Sequence, residues 1–176
     1  MILNRQRTVR VARPPLELFL LQVRERLGLG SAEFTVCLVS DAEIARMNES
    51  FRKKKGPTDV LSFPAVGCRK PVPLPKRNGH ATVAAASQGP RAVYGTAAPS
   101  VLEGFSTMGD SRYLGDIAIS PATARRNAKK FRRTLPSELQ LLILHGVLHL
   151  LGYDHETDRG QMMRIEQRLR RGLGLS

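Results

Sequence analysis

The stretch from Leu139 to Leu151 constrains this chain more than any other. Leu139, Leu141, Leu142, Ile143, Leu144, Val147, Leu148, Leu150 and Leu151 leave almost no polar face. A helix that is apolar on every side is a buried one, so the other elements must wrap around it. Thr134-Leu135-Pro136-Ser137-Glu138 has the cap and early proline of a helix start, and Gly152 is placed to end it.

The remaining chain supplies the wrapping. Residues 1–12 read as a short basic strand or arm. Pro14 and Pro15 open an amphipathic helix through Leu27, with Leu16, Phe19, Leu20 and Val23 at helical spacing and Gly28 behind it. Phe34 to Val39 is rich in β-formers. Ser40-Asp41 caps a helix through about Phe51, and a basic loop starting at Arg52 leads to a strand, Thr58–Phe63, stopped by Pro64. Tyr113–Ile119 is another strand, Ser120-Pro121 begins another helix, and a last one runs from about Asp158 to Arg171. The expected class is α+β: a small mixed sheet with about five helices, and any metal site at the end of the buried helix.

Residues 65–112 break the pattern. Ala, Gly, Pro, Ser and Thr fill more than half of them, with no period of 2 or 3.6. The stretch reads as a flexible insertion in one domain spanning 1–176, because its apolar area is too small to offset ordering.

Charge speaks to partners. With 28 Lys+Arg against 15 Asp+Glu, the formal charge is +13, which favours a polyanion such as nucleic acid. Arg125, Arg126, Lys129, Lys130 and Arg133 form a basic stripe, which on its own is as consistent with a solvated face. Cys37 and Cys68 form no CxxC pair, and Cys37 reads as a small core residue. Neither a signal-peptide pattern nor a bilayer-length apolar run is present, so the expectation is a cytoplasmic protein with no membrane partner.

The chemistry sits on the buried helix. Of four histidines, His145, His149 and His155 fall within eleven residues. His145 and His149, four apart, share one helix face, and the break at Gly152 lets the chain turn to deliver His155. Three imidazoles can hold one zinc ion and leave its fourth position open, as catalytic sites do. A single histidine on such a helix is usually a core residue bonded to a carbonyl. Three at this spacing, in leucine-rich surroundings, are costly to bury unless something ligates them. The spacing matches the metzincin pattern HExxHxxGxxH except that Gly146 stands where the general-base glutamate would be, which disfavours peptide hydrolysis.

From His145 to His155 the segment closely resembles the HGxLHLxGYDH signature of the YbeY family. Asn48 to Arg52 and Pro57 to Pro64 resemble that family's N-x-x-[YF]-R and PTDVLSFP blocks, Leu114 to Ser120 its LGDI-x-IS strand, and Met162 or Met163 with Glu166 its C-terminal M…E pattern. The long 65–112 stretch departs from the shorter loop usual there. The resemblance implies a single-strand-specific endoribonuclease acting in ribosomal RNA maturation, notably at the 3′ end of the small-subunit RNA, and in ribosome quality control. It also implies one Zn²⁺ per chain on His145, His149 and His155, and Arg52 as the catalytic residue. Arg52 suits that role because its planar fork can hold two phosphoryl oxygens. Asp154 is expected either to orient a histidine or to cap the turn, and Asp59 and Asp116 to satisfy backbone groups near strand ends. The competing readings are a metal hydrolase on another substrate and a non-enzymatic ribosome-binding factor with structural zinc.

Overall fold

The computed structural model describes residues 1–65 and 113–175. Apart from Ala65, the insertion expected at 65–112 lies outside the described residues. The elements run β1 (Ile2–Asn4), α1 (Arg13–Leu27), β2 (Glu33–Leu38), α2 (Asp41–Arg52), β3 (Val60–Pro64), β4 (Tyr113–Ile119), α3 (Pro121–Lys130), α4 (Leu135–Leu150) and α5 (Gln161–Gly172). The order agrees with the sequence reading, and the fold is α+β. Several boundaries differ. Arg52 is the last residue of α2 rather than the first of a loop, β2 is shifted back by one residue to Glu33–Leu38, and β3 begins at Val60 rather than Thr58 and includes Pro64. Helix α5 begins at Gln161 behind Gly160, with Asp158 accepting from the Gln161 and Met162 backbone N–H groups.

The strands lie in the order β1-β2-β4-β3, with β1, β2 and β4 parallel and β3 antiparallel to β4. One sheet face carries Ile2, Phe34, Val36, Leu38, Leu114, Ile117 and Ile119 and packs in a single core with α1 and α4. The other carries Cys37, Val39, Leu61 and Ala118 and meets Ile44 and Met47 of α2. Burial pushes the Cys37 thiol up to about 12, helped by the Asp116 carboxylate, which makes it an inert core residue.

A bulge in β4 links the faces. Glu33 pairs with Tyr113 and Phe34 with Gly115, so Leu114 is the extra residue. Gly115 holds φ at 129°, and a Cβ there would lie 2.2 Å from the Phe63 carbonyl oxygen. The shift lets Leu114 and Ile117 share the helix-side core despite opposite parity. It also puts Tyr113 beside Asp116, whose Oδ1 accepts from the phenol at 2.5 Å. Burial, against the Tyr113 and Thr35 hydroxyls, carries the Asp116 carboxyl above its usual range. Asp116 thus serves a side-chain network, not the strand-end backbone expected of it. Asp59 does serve backbone, accepting from Val60 N at 2.9 Å. Among the described residues no helix is long and apolar enough to cross a membrane.

Asp41 ties the starts of α2 and α3 together. Its carboxylate accepts from Ser120 Oγ, from Thr123 Oγ1 at 2.9 Å and from Arg126 at 2.8 Å. Burial opposes ionisation, but these hydrogen bonds prevail and hold its pKa below the usual carboxylate value. The stabilisation is therefore present above the unfolded value of about 3.9 and is lost as pH falls through the lower folded value. Asp41→Asn is expected to cost about 1 kcal/mol at pH 7 in urea unfolding. The gap from wild type should close below about pH 4, and a gap unchanged down to pH 3 would count against the carboxylate's role.

Candidate metal centre

Helix α4 is positioned by what it lacks. Its Gly146 faces β4, where a Cβ would lie 2.8 Å from Ile117 Cγ2 and 3.0 Å from Cδ1. The bare backbone therefore settles against the sheet, and Ser62 of β3, paired with Ile117 in register, donates to the Gly146 carbonyl at 3.3 Å. A glutamate could not stand at this position without breaking that contact. The missing general base is thus a consequence of packing.

At its other end α4 closes in a Schellman motif. Gly152 takes a left-handed φ of 84°, its N–H reaching the His149 carbonyl at 3.0 Å and that of Tyr153 reaching Leu148 at 3.1 Å. Buried Tyr153 anchors the reversal, and Asp154 continues it by accepting from Glu156 N at 3.0 Å and from Thr157 Oγ1 at 3.3 Å. Asp154 is therefore a turn cap, and those bonds, first of all the one from Glu156 N–H, hold its carboxyl below the usual range.

The reversal brings the three expected histidines together. Ring centroids are 4.7 Å apart for His145 and His149, 5.4 Å for His145 and His155, and 5.3 Å for His149 and His155. One nitrogen from each falls within 4.8 Å of the others, and the two helix-borne Nε2 atoms are 3.2 Å apart. Two nitrogens each about 2.0–2.1 Å from a tetrahedral ion are separated by about 3.3–3.4 Å, so the helical pair already has ligand spacing. His149 is biased toward its neutral, ligating form by burial first and then by its two neighbours. His145 and His149 are half-buried and His155 is exposed, so the cluster opens to solvent on the His155 side. The donor set and spacing fit a divalent ion.

Around the cluster stand groups of two kinds. Buried Glu166 of α5 offers Oε2 to His145 Nδ1 at 3.2 Å and Oε1 to Arg170 at 2.5 Å. Burial works against the Glu166 charge, but His145 and Arg170 hold its carboxyl below the usual range. The sequence reading had Glu166 only as part of a motif and missed its contact. The available signal was a carboxylate on the stripe of α5 that also buries Met162 and Leu169. Arg52, from the far end of α2, donates to Glu156 at 2.8 Å and so reaches the loop that carries His155. It is held by Phe51 packed edge-on against Phe63 at 4.9 Å and by Asn48 Nδ2, which closes the following loop on the Gly56 carbonyl at 3.0 Å.

The basic stripe is partly committed. Arg126 pairs with Asp41 and Arg133 with Glu138, while Arg125, Lys129 and Lys130 stand exposed. A cavity of about 200 Å³ beside His145 is lined by Val60, Leu141, Leu142, Arg133, Glu166 and Arg170.

Together these features define an α+β protein with an open cluster of three histidines, spaced so that it could hold a metal ion, at the end of a buried helix. The chain belongs to the YbeY family: the family model described as endoribonuclease YbeY matches residues 2–174. It is 37% identical over 163 residues to endoribonuclease YbeY of Solibacter usitatus, covering 93% of this chain and 80% of that one. It is 34% identical over 175 residues to the protein of the same name from Koribacter versatilis, covering 99% and 86%. The solution structure of a Thermotoga maritima protein shares the fold, with a TM-score of 0.54 at 23% identity over 98% of this chain and 89% of that one.

Gly146→Glu, which would restore the metzincin spelling, is expected to destabilise the fold by about 3 kcal/mol or more through overpacking and an unpaired buried carboxylate. It should also yield no peptide cleavage. Thermal unfolding and a peptide-pool assay test both, and a stable, proteolytic variant would overturn the packing account.

Proposed function

We propose that this chain is a metal-dependent endoribonuclease, with zinc on His145, His149 and His155, acting on single-stranded ribosomal RNA. Its place is the cytoplasm and its partner the ribosome's small subunit, with maturation of that subunit's RNA 3′ end as the step it serves. The observation that carries the reading is the convergence of three imidazoles in a solvent-open cluster, in a chain that belongs to an endoribonuclease family.

Phosphodiester cleavage makes more negative charge in the transition state than in the ground state, so catalysis rests on groups that meet that charge. A bound divalent ion polarises a phosphoryl oxygen and lowers the pKa of water. The chain itself supplies the positioning. His145 and His149 come from one rigid helical turn, and His155 from a turn fixed by Asp154. Arg52 is the catalytic cation. Its present partner Glu156 is 58% exposed, and an exposed pair of this kind contributes only about 0–1 kcal/mol. Exchanging that carboxylate for a substrate phosphodiester therefore costs little, and the guanidinium gains a partner it can hold through two oxygens whose negative charge grows in the transition state. With no carboxylate at position 146, electrostatic stabilisation takes precedence over general-base work. Exposed Lys and Arg along the chain hold the RNA backbone, which makes affinity depend on salt.

Purified protein is to be tested on a labelled single-stranded RNA beside His149→Ala and Arg52→Ala variants. His149→Ala should lose both metal and cleavage. Arg52→Ala should keep its metal, measured by elemental analysis, and lose about 10²-fold or more in rate. Cleavage by both variants at the wild-type rate would mean a contaminating nuclease and refute the activity. For the active protein, RNA affinity should fall steeply between 50 and 200 mM salt, each value about as in other phosphate-binding proteins. A flat profile would refute backbone-led binding.

A further inference from the structure

We infer that Glu166 is a positioning residue for the metal centre: together with Arg170 it fixes the proton of His145 on Nδ1 and aims Nε2 at the ion. This deepens the proposed function and rests on its reading of the three histidines as ligands.

The geometry divides the carboxylate's work between two partners. Oε2 faces His145 Nδ1 at 3.2 Å and Oε1 faces Arg170 at 2.5 Å, so each oxygen has its own cation or donor. His145 Nε2 is the atom turned toward His149, at 3.2 Å. Only one of the two ring nitrogens can carry the proton in a neutral imidazole, and a metal needs the other one bare. A carboxylate on Nδ1 therefore selects the tautomer that leaves Nε2 free, and it also makes that nitrogen a stronger donor. His149 has the Tyr153 backbone carbonyl as its partner, and no carboxylate meets the His149 or His155 ring among the contacts described, so His145 is the ring that a carboxylate orients.

Stability alone does not account for the arrangement. Glu166 is buried while Arg170 is half-buried, and removing a carboxylate from water seldom stabilises a fold more than an apolar side chain of the same size would. The Arg170 Nε is buried with no hydrogen-bond partner among the described residues, a further cost that an apolar residue would avoid. Met162 and Leu169, on the same face of α5, already bury apolar surface against the core. What the charged pair adds is a directed contact to one ring nitrogen on α4. It also spans the loop that carries His155: α4 ends before that loop and α5 follows it, so the contact from Glu166 to His145 closes the segment on itself.

The test uses full-length protein without RNA. Zinc affinity is measured by competition with a chelator, and the His145 tautomer by nitrogen–proton correlation NMR of the metal-free protein. Wild type should show the proton on Nδ1. Glu166→Gln, which keeps the side chain's size, should weaken zinc binding by about 10–100-fold and lose the fixed tautomer. Arg170→Ala should act in the same direction, and the double variant should be no weaker than Glu166→Gln alone, because Arg170 works through Glu166. Circular dichroism checks that each variant is folded, and if Glu166→Gln is not, Arg170→Ala decides. Unchanged affinity and tautomer in the folded variant, or additive losses in the double one, would overturn the inference. If wild type takes up no zinc, the metal reading fails, while the tautomer measurement still judges Glu166.

Discussion

The contact between the bare backbone of Gly146 and Ile117 sets the distance between α4 and the sheet, and everything at the metal centre inherits that distance. A side chain at 146 would lift the helix away from β4 and cost Ser62 its carbonyl partner. Since His145 and His149 ride on the same helix, their height over the sheet edge is set by this packing, while the polar bonds of their rings set how each imidazole is turned. The same contact is what removes the protease glutamate. One residue thus decides both how close the helix lies to the sheet and that no carboxylate stands beside His145 at this position.

How far the sequence could be read follows from the range of each interaction. Histidines four apart on a helix, a glycine that reverses the chain, and Ser-Pro or Thr-x-Pro helix starts are local signals, and each stands where the pattern placed it. Interactions between distant segments left no local mark. Glu166 meets His145 from 21 residues away, and nothing in the spacing says which ring nitrogen it will face. Tyr113 and Asp116 are close in sequence, yet only the bulge at Leu114 brings them to one side of a strand, which is why Asp116 was assigned to the backbone. Asp154 was open between two roles because a residue beside a ligand can serve either, and its bonds to Glu156 and Thr157 decide for the turn. The strand order is likewise a product of long-range pairing.

The excess positive charge also divides by geometry. Arg126 and Arg133 are used within the fold, holding Asp41 at helix starts and buried Glu138. Arg52, by contrast, is spent on an exposed glutamate that a phosphate can replace at little cost. The useful distinction among the basic residues is thus the exchangeability of their partners, which a net charge of +13 does not reveal.

The three histidines do not stand on equal footing. Two nitrogens on α4 sit 3.2 Å apart, held by a helix whose neighbours are buried leucines, while the third comes from an exposed loop and completes a cluster as wide as 4.8 Å. The helical pair therefore takes its spacing from the helix alone, whereas His155 takes its place from the turn that follows. The core of the protein does not depend on His155, because its apolar contacts run through α1, α4 and the sheet. The turn itself is set by the Asp154 bonds to Glu156 N–H and Thr157 Oγ1, and it places His155 next to the Glu156 that pairs with Arg52. The third histidine and the partner of Arg52 are thus neighbours on one loop, so a shift of either carries the other with it.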